Sequence, residues 1–400
     1  MRPAPLARCA RCGLQFITAS MSTSPHVPLG LYGHVPFCST TCDFCAFYQI
    51  APKRGDIKNY LAGIRREVDL VPPGRRADTI FWGGGTPGLL PADDLRELGA
   101  HFLRAAGGPV KEWTIELAPS SVKRDKLEAL RDMGVTRVSM GIQSFDEATL
   151  DALGRQHSRK QIYQAWELIR EADFASANLD LIFAIPGQDE ERWTTDLAEA
   201  VRLAPDHLST YCLTFEEDAA LFVKLAKGQV KPDPVREAAL YRRTWAFLAD
   251  AGFAQYEVSN FSRPGHECLH NLNTWRMHEW LGYGPAAASQ FAGRRFKNPS
   301  DLARWLDGLT SGAPVREDVV ELSPRMLFLD ALTFGLRLNA GVDVAEAAAR
   351  FGVQPPPALE KFLRDLEEEG LLVREGAAIR LTDDGRLLAD AVAAGLPDFE

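Results

Sequence analysis

The stretch Gly30 to Gln49, GLYGHVPFCSTTCDFCAFYQ, places three cysteines, Cys38, Cys42 and Cys45, within eight residues, directly after an apolar run that reads as a β-strand. A cubane iron–sulfur cluster takes one thiolate per iron, so a C-x3-C-x2-C loop with no fourth cysteine nearby leaves one iron open to a substrate or cofactor. Structural zinc asks for four closed ligands, typically as CxxC pairs, and this spacing lacks the second pair. A disulfide would leave one of the three cysteines over. The cluster reading is therefore preferred to both. Tyr32 and His34, two apart, face the same side of a strand that ends at Pro36.

Outward from this loop, strand-like segments recur at 79–84, 112–119, 136–145, 178–187 and 207–215. Helical periodicity fills the gaps at 57–71, 92–105, 123–133, 159–172 and 190–203. Repeated βα units mean parallel strands with crossover helices, and with 29–35 as the first strand there are six. An open barrel and a doubly wound sheet both fit that pattern. In either, the site lies at the carboxyl ends of the strands. Gly83-Gly84-Gly85-Thr86-Pro87 follows the second strand, Glu116 ends the third, and Gln143 and Ser144 end the fourth. Arg155 stands in LGRQHS and Asp180 in NLDLIFAIPGQ. Each alone reads as an ordinary solvated polar residue. Together they form a set converging on one mouth, inside strands where an unpaired polar group costs about 1–3 kcal/mol.

The run YGHVPFCSTTCDFC resembles the Y-x-H-x-P-[FW]-C-x3-C-x2-C signature of one family of the radical S-adenosylmethionine (SAM) superfamily. This is the family that contains oxygen-independent coproporphyrinogen dehydrogenase and the heme chaperones. The resemblance implies an α/β fold with a partial (β/α)6 barrel and a 4Fe-4S cluster on Cys38, Cys42 and Cys45. SAM would chelate the open iron and be cleaved by electron transfer to methionine and a 5′-deoxyadenosyl radical. It also implies a SAM pocket lined by Tyr32, Phe44, Gly84, Gly85, Thr86, Glu116, Gln143, Arg155 and Asp180.

After a helix at 235–251 and a strand at 254–262 comes HNLNTW at 270–275, followed by LGYGPAAAS. Heme chaperones of the family carry H-N-x-x-Y-W and then LG-x-G-x-G-A-H. Thr274 stands in place of the tyrosine and Ala288 in place of the histidine. By resemblance His270 is a candidate axial heme ligand; a buried, hydrogen-bonded histidine is the alternative. Helices at 324–336, 344–351 and 357–369 and strands at 371–375 and 378–382 outline a C-terminal α+β, winged-helix-like domain. Its third helix ends in Asp365, Glu367, Glu368 and Glu369, which would repel phosphate, so a lid or protein-contact module is expected instead of a DNA reader.

The expected division is a disordered extension at 1–24 with an alternative start at Met21, a barrel at 25–235, a barrel extension at 236–315 and the C-terminal domain at 316–400. Cys9 and Cys12 make half a zinc site at most. A net charge of −9 argues against nucleic acid as a partner. Seven cysteines without a signal-like apolar segment fit the reducing cytoplasm, and no apolar run reaches the roughly 18 residues of a membrane span. A homodimer and peripheral membrane association through acceptors stay open.

Three functions compete: a heme chaperone that passes heme to acceptor proteins, a coproporphyrinogen dehydrogenase, and a radical-SAM methyltransferase. The resemblance separates the first two at Phe47. Dehydrogenases of the family carry a further cysteine two residues after the third, where this chain has Cys45-Ala46-Phe47. The cysteine loop and barrel do not exclude the methyltransferase.

Overall fold

The computed structural model of the protein describes residues 27–398; the extension at 1–24, with Cys9, Cys12 and Met21, lies outside them. Six parallel strands stand in sequence order: β1 (Leu29–Val35), β2 (Thr79–Gly84), β3 (Glu112–Leu117), β4 (Arg137–Gln143), β5 (Ser176–Phe183) and β6 (His207–Cys212). Helices Asp56–Leu70, Ala92–Ala106, Arg124–Met133, Arg159–Glu171 and Glu190–Arg202 cross between successive strands, within a residue or two of where the periodicity puts them.

The strands divide their side chains by parity. One set, including Leu31, Ile80, Trp82, Ile115, Met140, Leu179 and Leu208, packs with helix residues such as Ile64, Leu98 and Ile162 into one large apolar core. The other set is largely polar, with Phe81 and Ile182 as exceptions: His34 on β1, Thr79 on β2, Glu112, Thr114 and Glu116 on β3, Arg137 and Ser139 on β4, Asn178 and Asp180 on β5, and His207, Ser209 and Tyr211 on β6. The inner face of this partial barrel is therefore mostly a surface built to be hydrogen-bonded.

Both edges of the six are extended. β6 pairs antiparallel with β8 (Asn260–Ser262), which pairs with β7 (Ala254–Gln255). The single strand expected at 254–262 is thus broken into two. Its middle forms a tight turn in which the Ser259 N–H donates to the Glu257 carboxylate at 2.9 Å and the Tyr256 N–H reaches the Asn260 carbonyl at 3.2 Å. On the other side β9 (Glu279–Tyr283) lies parallel to β1, and β10 (Ala288–Phe291), β11 (Arg294–Lys297) and β12 (Glu317–Glu321) continue antiparallel.

The C-terminal unit has helices Pro324–Gly335, Val344–Phe351 and Pro357–Glu368 and a small sheet of β13 (Val342–Asp343), β15 (Ala378–Leu381) and β14 (Leu372–Glu375), in that order. Phe328, Leu332, Leu363, Leu372 and Ile379 form its own core, which also takes in Met277. β12 pairs with β11 and so belongs to the large sheet. Asp365 and Glu368 stand on the third helix, as the winged-helix outline expected.

Candidate cofactor and ligand site

The cysteine loop leaves β1 and is tied at both ends by backbone. The Cys38 N–H donates to the Ile50 carbonyl at 3.0 Å and the Ile50 N–H to the Pro36 carbonyl at 2.7 Å. From the glycine turn after β2, the Gly85 N–H reaches the Val35 carbonyl at 2.8 Å and the Thr86 N–H the Phe37 carbonyl at 2.7 Å. That approach requires glycine, since a Cβ at Gly85 would stand 2.7 Å from both of those carbonyl oxygens. Gly84, at φ 99°, lies against the His34 ring in a backbone region that a side chain rarely adopts. A Cβ at Gly83 would meet the Glu116 carboxylate. The Cβ sides of these glycines therefore face protein; what they can offer a ligand is backbone.

Cys38, Cys42 and Cys45 are free thiols. Cys38 Sγ lies 3.3 Å from Thr86 Oγ1, and Arg155 Nη1 donates to Cys42 Sγ at 3.3 Å while Nη2 donates to the Gly141 carbonyl at 2.5 Å. Burial pushes the Cys38 and Cys45 thiols up, and the neighbouring cysteines push the same way. Among the described residues no group of three or more His, Cys, Asp or Glu side chains converges on a point that would hold a single metal ion. A cubane asks for something else, one thiolate on each of three irons, and three free cysteines with polar donors at two sulfurs fit that demand. Cys212 and Cys268 differ: burial pushes both thiols up to about 12, and Cys268 is packed against Glu112.

The other sequence candidates distribute as follows. Glu116 closes β3, its carboxylate accepts from the Gly84 backbone, and burial together with the nearby Asp180 pushes its pKa up to about 8. Asp180 accepts from Ser139 Oγ at 2.9 Å and from Asn178 Nδ2 at 2.7 Å. Gln143 stands at the bulge that ends β4, with φ 68°, a conformation that costs a non-glycine residue and marks a place over-determined by its surroundings. Ser144 does not join the mouth: its hydroxyl donates to Asp196 on the helix Glu190–Arg202 at 2.6 Å. Phe44 packs against a satellite cluster of Leu153, Ile182, Ile185, Leu213 and Leu221. Tyr32 donates its hydroxyl to His34 Nδ1 at 3.1 Å, because His34 Nε2–H is committed to the Tyr48 carbonyl at 2.9 Å. Burial holds His34 in that neutral form by lowering its pKa.

His270 lies at the opposite end of the barrel. Its helix, Leu269–Trp275, is capped by Glu112, which accepts from the N–H groups of Leu269 at 2.8 Å and His270 at 2.9 Å. The ring Nδ1 pairs with Thr79 Oγ1 at 2.9 Å and the ring tilts against Phe81 at 5.2 Å between centroids. Nε2 makes no hydrogen bond, and burial lowers the pKa to about 4, so the imidazole is neutral and free to donate its lone pair. A cavity of about 830 Å³ connects the two ends. His270, Thr274 and Trp275 line one part, Tyr32, His34, Phe47 and Tyr48 the part beside the cysteine loop, and Ala288 a side wall. Thr274 and Ala288 present small side chains to that space.

Sequence reasoning missed the polar relay behind this wall. Asn178 accepts from His207 Nδ1–H at 2.6 Å, His207 Nε2 takes the Tyr256 hydroxyl at 2.8 Å, and that hydroxyl accepts the Cys268 N–H at 3.3 Å. The relay joins Asp180 at the mouth to the helix of His270. Alternate polar residues in DHLSTYC and NLDL are the signal that could have found it.

Residues 32–200 match the model of the radical SAM superfamily and 322–388 that of the HemN C-terminal domain. The heme chaperone HemW of Bacillus subtilis is 30% identical over 368 residues, covering 90% of this chain and 97% of that protein. The chain belongs to the HemW family of radical SAM proteins. HemW of Mycobacterium tuberculosis strain H37Rv is 35% identical over 391 residues, with 94% and 96% covered. The solved structure of coproporphyrinogen III oxidase (HemN) from Escherichia coli superposes with a TM-score of 0.80 at 24% identity, covering 93% of this chain and 91% of that one, and so shares the fold. Membership in the HemW family implies a SAM and 4Fe-4S site. No helix among the described residues is long and apolar enough to cross a membrane.

Proposed function

We propose that this protein is a heme chaperone: it binds heme in the cavity and passes it to heme-accepting proteins in the cytoplasm, with a 4Fe-4S cluster on Cys38, Cys42 and Cys45. SAM would sit at the strand ends against Gly84, Gly85, Thr86, Glu116, Gln143, Arg155 and Asp180, between Tyr32 and Phe44. The observation that carries the reading is the cavity of about 830 Å³, within the range of ligand pockets, which has an unbonded imidazole nitrogen of His270 in one wall. Thr79 at Nδ1 is the kind of partner that orients a metal-ligating histidine. When bound, the cluster would supply the electron for SAM cleavage. Around it, Arg155 and Thr86 would hold two sulfurs by hydrogen bonds, which tune a cluster's potential. The dehydrogenase reading is not adopted, because Phe47 is 69% exposed at the cavity's edge where those enzymes have cysteine.

Anaerobic protein with reconstituted cluster, titrated with heme and followed by absorbance, should give a saturable Soret band that His270→Ala weakens or shifts. An unaltered band in that variant would return His270 to a packing role. Incubation with SAM, reductant and coproporphyrinogen should leave the propionates intact; catalytic conversion would overturn the chaperone reading.

A further inference from the structure

Among the described residues that line the cavity, Arg337 is the one permanently charged cation; Asp218 and Glu257 are the acids. Its backbone is fixed where the two units meet. Leu338 forms an antiparallel bridge with Glu257, and the Asn339 N–H donates to the Tyr256 carbonyl at 3.0 Å. The guanidinium lies 5.3 Å from the ring centre of Trp275, which is tilted against Phe334 on its own account at 5.6 Å. A planar guanidinium held over an aromatic ring has fewer orientations to lose on bidentate pairing.

Its present pairing is incomplete. Nη1 reaches Asp390 Oδ1 at 2.9 Å, but that aspartate is 95% exposed, and such pairs contribute little. Nε is buried with no hydrogen-bond partner. Glu257 does not take it: its carboxylate is occupied by Ser259 and by Asn260. Arg337 and Trp275 also stand in the wall of a second, smaller cavity of about 200 Å³ beside Asp390. The guanidinium thus stands between an exposed aspartate and the main cavity.

We propose that Arg337 is the carboxylate-recognition residue of the cavity, exchanging Asp390 for a carboxylate of the bound ligand. This rests on the heme reading above, and the carboxylates in question are then the propionates of the tetrapyrrole. The macrocycle would lie toward His270 and the aromatic wall, with a propionate at Arg337, Trp275 closing over it and Asn271 beside it.

The test titrates the full-length protein, holding its cluster, with heme and with its dimethyl ester, which has the same ring and iron but no free carboxylate. The native chain should bind the free acid at least about tenfold more tightly, the range for one charge-assisted contact. Arg337→Met, which keeps an apolar stem over Trp275, should bring the free acid down to the ester's affinity and leave the ester unchanged. A native chain with no preference, or a variant that keeps it, overturns the assignment while leaving the heme reading standing. A native chain that binds neither form removes the heme reading and this one with it. Asp390→Asn, at an exposed position, keeps the question answerable should Arg337→Met fail to fold. Releasing the guanidinium should tighten the free acid about twofold and not the ester, and an equal effect on both, or none, counts against the exchange.

Discussion

The two ends of the barrel solve opposite problems. At the cysteine end the backbone does the holding: Gly85, Thr86, Ile50 and Pro36 clamp the loop through main-chain bonds and leave the sulfurs of Cys38, Cys42 and Cys45 available. At the His270 end the side chains do the holding. Glu112 caps the helix, Arg137 lies buried beside it, and His207 and Tyr256 close the gap, so that one ring nitrogen is left over. A site that must accept a multi-iron cluster needs several donors unspent on a rigid frame. One that offers a single ligand to a larger guest can satisfy everything else.

The largest expected effect breaks the first end. Replacing any one of Cys38, Cys42 or Cys45 by Ala should abolish the cluster, read as iron and sulfide content after anaerobic reconstitution, whereas Cys212→Ser and Cys268→Ala should retain it. Retained iron in the first set, or its loss in the second, would move the cluster elsewhere. Next, Glu112→Ala strikes the second end. It frees two helix N–H groups from a charged acceptor and removes one of the negative charges that favour buried Arg137, and should cost about 3–5 kcal/mol in a denaturant titration. A loss under about 1 kcal/mol would show that the helix does not depend on this cap.

Gly85→Val sharpens the contrast from the backbone side. Its side chain would collide with the carbonyls of Val35 and Phe37, so the variant should lose about 1–3 kcal/mol and bind cluster and SAM poorly, by calorimetry and iron assay. Wild-type SAM affinity would mean that the turn is not part of that pocket.

The smallest effect is in pH. Glu116 has a folded pKa of about 8 against an ordinary 4.5, so across that window the folded chain holds a proton that the unfolded chain has released. Stability of the cluster-free protein should therefore fall as pH rises through the window. The residue is partly exposed, and solvent screening leaves about 1–2 kcal/mol of the effect. Glu116→Gln should flatten the slope between pH 5.5 and 8; parallel slopes would remove Glu116 as its source.

Much of this was legible in the chain. The six strands and five crossover helices announce themselves because each is a local period of apolar residues, and the cysteine spacing is readable without any fold. Other features were not local. β9 joins β1 through pairing that no window of sequence contains, and the break at 256–259 follows from the carboxylate of Glu257 folding back on its own turn. Arg337 escaped for the same reason. Nothing near it in sequence mentions a cavity whose other walls come from β1, β2 and the helix at 269–275.

The parallel pairing of β9 with β1 also sets an order of events. Gly30 to Gly33 are held on one side by β2, which follows soon after, and on the other by Trp280 to Tyr283, which emerge from synthesis far later. Until they do, the strand that leads into the cysteine loop has an unpaired edge, and non-local pairing of this kind is slow. A nascent or truncated chain ending before Glu279 would have the main-chain clamps of the cysteine loop in place but one edge of the strand that leads into it unpaired. The frame around that strand is therefore completed only once the chain has been made past Tyr283.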